Sequence, residues 1–149
     1  MENRTKANKI AKSTNILPKL MHYFSSSFKP CMDTPIKKNE VRTIIEIYFN
    51  PGLPMKHYID SVDMESGSFT YLADKLEKKE IIIREPSKND KRVNVLYLTK
   101  KGKIIAKKMI DKFDTHISNL LQTLSDEDLE SFEKAIQSLE KIYDKLNTD

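Results

Sequence analysis

A mainly α-helical fold carrying one small β-hairpin is the fold class this sequence predicts, and three observations predict it. Apolar residues recur three or four apart along most of the chain, the period of an amphipathic helix. Only three glycines occur in 149 residues rich in Lys, Glu, Ile and Leu, a composition that favours helix. Two β-rich runs, 81–84 and 93–98, flank the charged, turn-prone tip Pro86-Ser87-Lys88-Asn89-Asp90-Lys91-Arg92. A polar-faced helix followed by a basic hairpin is a winged helix-turn-helix arrangement. Its expected element order is two helices, a lone β-bridge, two helices, the two strands of the wing, and two helices.

Each element has its own signal. Residues 1–15 are polar, and from Ile16 to Phe28 the positions Leu17, Leu20, Met21, Phe24 and Phe28 step mostly by three or four. Pro18 fits a helix starting near it or a kink in a longer one from about Lys6; the longer, kinked helix is expected. Residues 29–34, with Pro30 and Cys31, form a connector. Thr34 and Pro35 suit the N-cap and first turn of a second helix. Its buried stripe is read as Val41, Ile44, Ile45 and Tyr48, and Asn50-Pro51-Gly52 stops it.

Leu53 is expected to make the isolated bridge, and a short helix from Pro54 to Val62 to turn Tyr58, Ile59 and Val62 inward. Three residues then separate it from the next helix, as helix-turn-helix geometry requires. There Phe69, Leu72 and Leu76 form the apolar face, and Ser66, Ser68, Thr70, Tyr71 and Lys75 are free to meet a polar partner. Thr99 is the expected N-cap of a long helix with Ile104, Ile105, Met109, Ile110, Phe113, Ile117, Leu120, Leu121 and Leu124 as apolar positions. Ser125-Asp126-Glu127-Asp128 opens the last helix, with serine as cap and acids on the positive end of its dipole. Leu129, Phe132, Ile136, Leu139, Tyr143 and Leu146 follow in steps of 3, 4, 3, 4, 3, a heptad seam. Such a seam serves packing on the preceding helix or pairing between subunits.

Charge is unevenly placed. Residues 66–103 carry +5, residues 104–149 carry −4 and residues 1–65 carry +3. Basic charge on the proposed helix and hairpin points to a polyanion held by salt-sensitive contacts; surface lysines that only solubilise are the competing reading. The apolar runs are a few residues long, far short of the roughly 20 needed to span a bilayer, and the basic N-terminus lacks the apolar core of a secretory signal. The single cysteine fits a reducing cytoplasm. No Gly-rich phosphate loop, clustered Cys/His set or nucleophile–base set points to an enzyme, and His22, His57 and His116 lie apart, so neither a metal nor a cofactor is expected.

The run LADKLEKKEIIIREPSKNDKRVNVLYLTKKGK resembles the signature of MarR-family transcriptional regulators. The matching pieces are Leu72-Ala73-Asp74-Lys75-Leu76-Glu77, the wing tip Asp90-Lys91-Arg92, and Leu98-Thr99-Lys100-Lys101-Gly102. The resemblance is specific over about forty residues. It implies a homodimer in which residues 35–103 form a DNA-binding lobe and residues 1–34 and 104–149 supply dimerisation helices. Glu80 stands where members commonly have glycine, so the recognition helix is expected to end without a left-handed glycine cap. Tyr71 stands where many place a basic residue, and tyrosine cannot make arginine's bidentate contact with guanine.

On that footing the recognition helix offers Ser66, Gly67, Ser68, Thr70, Tyr71 and Lys75 to double-stranded DNA, with Gly67 allowing close backbone approach. The wing offers Lys88, Asp90, Lys91 and Arg92, with Arg92 at the minor groove and Asp90 orienting it. Lys56 and His57 are candidate phosphate contacts. Leu129, Phe132, Ile136, Leu139, Tyr143 and Leu146 are the candidate dimerisation seam. Tyr23, Phe28 and Tyr48 are candidate walls of a pocket for a small-molecule effector, or ordinary core aromatics. Cys31 is a candidate redox thiol, or an idle cysteine. The reading is a cytoplasmic homodimeric repressor on a pseudo-palindromic operator, released by a small ligand or oxidant; the alternative is a winged-helix module that binds protein instead.

Overall fold

Helical spacing becomes seven helices and one hairpin in the computed structural model of the chain, which describes residues 2–29 and 36–148. In order these are α1 (Glu2–Ser13), α2 (Ile16–Ser26), α3 (Lys38–Phe49), α4 (Met55–Val62), α5 (Ser66–Lys78), β1 (Ile82–Pro86), β2 (Asn94–Leu98), α6 (Lys100–Leu121) and α7 (Asp126–Leu146). The chain divides into two units, one of residues 30–112 and one of residues 1–29 with 113–149.

The N-terminal expectation needs correction. Instead of one long helix kinked at Pro18, α1 ends where the Thr14 N–H bonds to the Ile10 carbonyl, and a turn closed by Leu17 N–H on Thr14 O (3.0 Å) leads into α2. Pro18 is the third residue of α2, where a main-chain N–H would have no intrahelical acceptor, so its missing donor costs nothing. The observed start of α3 is Lys38; Thr34 and Pro35, expected as its cap and first turn, lie outside the described residues. Its buried stripe is Glu40, Thr43, Ile44 and Ile47 rather than one ending at Tyr48, which is 37% exposed. The isolated bridge joins Pro54, not Leu53, to Val95, while the Leu53 carbonyl accepts the Leu96 N–H at 3.2 Å.

The lobe of residues 30–112 closes over Ile44, Ile47, Tyr58, Val62, Phe69, Leu76, Ile81, Ile82 and Leu96, each at most 2% exposed. Burying Tyr58 is tolerable because its hydroxyl accepts the Leu53 N–H (3.1 Å) and donates to the Asn50 carbonyl (2.6 Å). The antiparallel strands set Ile82 opposite Leu98 and Arg84 opposite Leu96. Three strand limits differ from expectation, since β1 also runs on through Glu85 to Pro86, which pairs with Asn94. Ile81 is spent on ending α5, and the Val93 N–H turns back to the Asp90 carbonyl (3.0 Å).

The end of α5 is a Schellman motif. Ile81 N–H reaches the Leu76 carbonyl at 2.9 Å and Glu80 N–H reaches Glu77 at 2.8 Å, with Ile81 and Leu76 both buried. Glu80 itself takes φ +59°. The helix ends without a glycine, as expected, and the left-handed position is taken instead by a residue with a Cβ. Ile81's carbonyl in turn accepts the Thr99 N–H (3.0 Å) and lies 3.2 Å from the Thr99 hydroxyl, which donates to the Glu80 carbonyl at 2.6 Å. Thr99 Oγ1 also accepts the Gly102 N–H at 3.0 Å, capping α6 as expected. A Cβ on Gly102 would lie 2.1 Å from the Ile81 carbonyl oxygen, so α6 passes here only as bare backbone.

In the other unit, Phe28 packs edge-on against Phe113 with ring centroids 5.1 Å apart, and the Ser27 hydroxyl lies 3.1 Å from His116 Nε2. Ser125 caps α7 by accepting the Asp128 N–H at 3.2 Å. No residue of α7 is buried. Leu129 and Phe132 are half-covered, and exposure along the seam rises to 75% at Leu146.

Left-handed backbone costs a residue with a Cβ about 1–2 kcal/mol, partly offset in glycine by its greater freedom when unfolded. Glu80→Gly should therefore stabilise the lobe by about 1 kcal/mol, read as a higher midpoint in chemical denaturation at unchanged slope.

Candidate nucleic-acid interface

The turn between α4 and α5 decides what α5 shows. Asp63 adopts φ +54°, a conformation aspartate tolerates better than most, and Met64 N–H bonds back to the Ile59 carbonyl (3.2 Å). Phe69, Leu72, Ala73 and Leu76 then fall inward, leaving Ser66, Gly67, Ser68, Thr70 and Tyr71 exposed, Tyr71 at 74%. The Thr70 hydroxyl donates to the Ser66 carbonyl at 2.9 Å. A Cβ on Gly67 would meet nothing within 4 Å, so the lobe's own packing does not demand glycine there.

Lys75 is placed differently from its five neighbours. Its ammonium lies 2.9 Å from Glu40 Oε1, and that oxygen also accepts from Lys79 at 3.2 Å. Glu40's other oxygen accepts the Lys37 N–H at 2.7 Å, closing the first turn of α3. Only 2% of Glu40 is exposed. Burial on its own would raise the Glu40 pKa, but the Lys37 N–H and the two lysines outweigh it and hold the carboxyl below its ordinary 4.5. The stripe expected from periodicity, Val41, Ile44, Ile45 and Tyr48, passes over position 40, and spacing within one helix does not tell that a carboxylate there is matched from another.

Arg84, absent from the sequence-derived site, fastens wing to helix. Its guanidinium lies 2.6 Å from Asp74 and 3.8 Å from Glu77, and it donates to the Thr70 carbonyl at 3.4 Å. The available signal was a lone arginine in a β run whose neighbour helix carries two acids on one face.

At the wing tip the hairpin closes with Ser87 N–H on the Val93 carbonyl (2.7 Å). Asp90 Oδ1 accepts the main-chain N–H of Arg92 at 2.9 Å. The orienting bond expected between Asp90 and Arg92 is thus to the backbone rather than to the guanidinium: an Asx turn shapes the tip. Lys88, Lys91 and Arg92 are exposed.

Among the other candidates, Lys56 is exposed on α4, and His57 Nε2 lies 3.2 Å from Glu46 Oε1. Tyr23 is 61% exposed; Phe28 is half-buried against Phe113; Tyr48 packs edge-on against Phe49 at 5.4 Å. Tyr23 and Phe28 belong to one unit and Tyr48 to the other. A cleft of about 620 Å³ lies elsewhere, between the start of α3 (Lys37, Lys38, Asn39) and α5 (Gly67, Ser68, Tyr71). Cys31 lies outside the described residues. Among the described residues no cluster of His, Cys, Asp and Glu is arranged for a metal, and no helix is long and apolar enough to cross a membrane.

Because Glu40's pKa is lower in the folded chain than in the unfolded one, its stabilisation is complete above about pH 4.5. It is lost as pH falls below that value through the folded-state pKa. Glu40→Gln should destabilise the lobe by about 2 kcal/mol at neutral pH. Urea midpoints measured from pH 7 down to 3 should converge for the two proteins at the acid end; parallel curves would contradict this role.

The MarR family pattern matches residues 36–93. Over 88 residues the chain is 33% identical to the HTH-type transcriptional regulator MhqR of Bacillus subtilis, covering 58% of this chain and 61% of that protein, so the match spans less than two thirds of the relative's length. Streptococcus pneumoniae FabT, solved in complex with DNA, superposes with a TM-score of 0.62 at 22% identity, covering 99% of this chain and 100% of that one. Staphylococcus aureus MepR, solved with ethidium bromide bound, gives 0.60 at 18% identity over 87% and 95%. With the α4–α5 pair, the hairpin wing and the Thr99–Gly102 junction in place, the chain has the fold of these solved structures and is similar to the MarR family over residues 36–93.

Proposed function

We propose that the chain is a DNA-binding transcriptional regulator, a cytoplasmic homodimeric repressor on a pseudo-palindromic operator, released by a small ligand or oxidant. One observation carries this reading. The exposed face of α5 adjoins a wing whose tip residues Lys88, Lys91 and Arg92 are exposed and, among the described residues, are in no ion pair. Bound to a duplex, the N-terminal turns of α5 enter the major groove and Arg92 the flanking minor groove. Lys56 contacts backbone phosphate, as do Lys37 and Lys38 across the cleft from α5; His57 does so only by giving up Glu46. Supporting this are MhqR's designation as an HTH-type transcriptional regulator and FabT's structure with DNA. The MepR–ethidium complex supports a small-molecule effector.

Pairing of two copies runs through α7. Ile136, Leu139, Tyr143 and Leu146 form an exposed apolar row, and Ile142 beside it is 53% exposed. Unpartnered rows of this kind are covered in stable proteins. Two lobes related by a two-fold axis then read half-sites about one helical turn apart.

In anisotropy titrations against the DNA upstream of its own gene, Arg92→Ala should weaken binding about tenfold and lower the salt slope by about 1. Failure of the wild type to bind any duplex at low salt would overturn the reading in favour of a protein-binding module. Leu139→Asp, on a residue 42% exposed in the single chain, should shift sedimentation from dimer to monomer while leaving the helical signal intact; an unchanged dimer would show that pairing does not use this row.

A further inference from the structure

Three cations beside the recognition helix, Lys75, Lys79 and Arg84, are already committed within the chain. Residues 66–73, the first two turns of α5, contain no Lys, Arg, Asp or Glu. Further along, Lys75 and Lys79 converge on the buried carboxylate of Glu40 at 2.9 and 3.2 Å. Arg84 on the adjoining strand is held by Asp74, Glu77 and the Thr70 carbonyl. Lys78 is exposed, but lies seven residues beyond Tyr71, about 10 Å further along the helix axis. Guanine is read best by an Arg or Lys at its O6 and N7, and the N-terminal turns of a recognition helix are the part that reaches base edges. Those turns hold hydroxyls, which do not discriminate strongly, and one large apolar surface. That surface is Tyr71, 74% exposed.

Resting on the DNA-binding reading above, we infer that Tyr71 packs on the 5-methyl group of a thymine and that α5 reads an A·T core in each half-site, with no guanine recognised by a cation of this helix. Thymine's methyl is the apolar feature of the major groove, and an aromatic ring edge is a suitable partner for it. The wing favours the same composition: a narrow A·T minor groove concentrates negative potential, and Arg92's guanidinium is exposed at the tip. The specificity follows from subtraction. Glu40 removes two lysines from the groove and the Asp74–Glu77 pair removes an arginine, leaving Tyr71 as the discriminating side chain.

The full-length protein is used to select duplexes from a random-core pool. The winning duplex is then rebuilt with deoxyuridine in place of thymine, one position at a time, deleting only the methyl. Removing the contacted methyl should weaken binding about fourfold at one or more positions in each half-site, the value of one buried methyl-sized group. Tyr71→Ala should bind thymine and uracil duplexes equally, and Tyr71→Phe should retain the difference. Because Tyr71 is exposed, neither change disturbs the core. Selection of G·C pairs at the α5 positions, with 7-deazaguanine costing tenfold or more, would overturn the inference; so would indifference to uracil at every position. Absence of binding to any duplex at low salt is a different outcome, removing the DNA-binding reading and this inference together.

Discussion

The carbonyl oxygen of Ile81 is the point on which the lobe's geometry depends. It follows directly on the cap of α5, accepts the first N–H after β2 at Thr99, and is the atom against which α6 passes at Gly102. The helix α5, the hairpin and the start of α6 are thereby indexed to one main-chain group. Each requirement there is chemical: a left-handed residue at 80, a hydroxyl at 99 to cap α6 and bond the Glu80 carbonyl, and no side chain at 102. The separation of Leu98-Thr99 from Gly102 is fixed because one turn of helix lies between the cap and the close approach.

Electrostatics sets the second constraint. A carboxylate 2% exposed would be costly alone, and Glu40 is tolerated because three donors converge on it from α5, its end, and the start of its own helix. The pairing joins α3 to α5 as the Arg84 cluster joins β1 to α5. Both are charge–charge ties at the margin of an apolar core, and both determine which surface cations stay available to a polyanion.

Much of this was legible in the residues, and the failures have physical causes. Helix existence followed from spacing, as at Phe69, Leu72 and Leu76, because one-sided burial writes a period into the sequence. The break between α1 and α2 did not, since Pro18 is compatible with both a kink and a first turn, and a non-glycine turn at Thr14–Asn15 leaves little trace. The left-handed turn at Glu80 was hidden for a related reason: glycine is the usual residue there, yet the two closing hydrogen bonds and the burial of Ile81 and Leu76 hold glutamate in that conformation. The exposed face of α5 was readable from alternation with its buried face, whereas Lys75's commitment to Glu40 spans 35 positions. Periodicity describes a residue's own helix and is silent on partners so distant.

The Arg84 clamp has a consequence for the thermodynamics of docking. A recognition helix and wing that meet only through loops would each have to be ordered when a duplex arrives, and the lost freedom would count against affinity. Here the guanidinium spans Thr70, Asp74 and Glu77 through contacts made within the chain itself. On the proposed DNA-binding reading, helix and wing strand would meet a duplex as one preorganised surface, so little conformational entropy would be surrendered between them. On that reading, mismatched grooves could not be accommodated by letting the two elements slide apart, and the fixed offset between them would act as a ruler for duplex geometry.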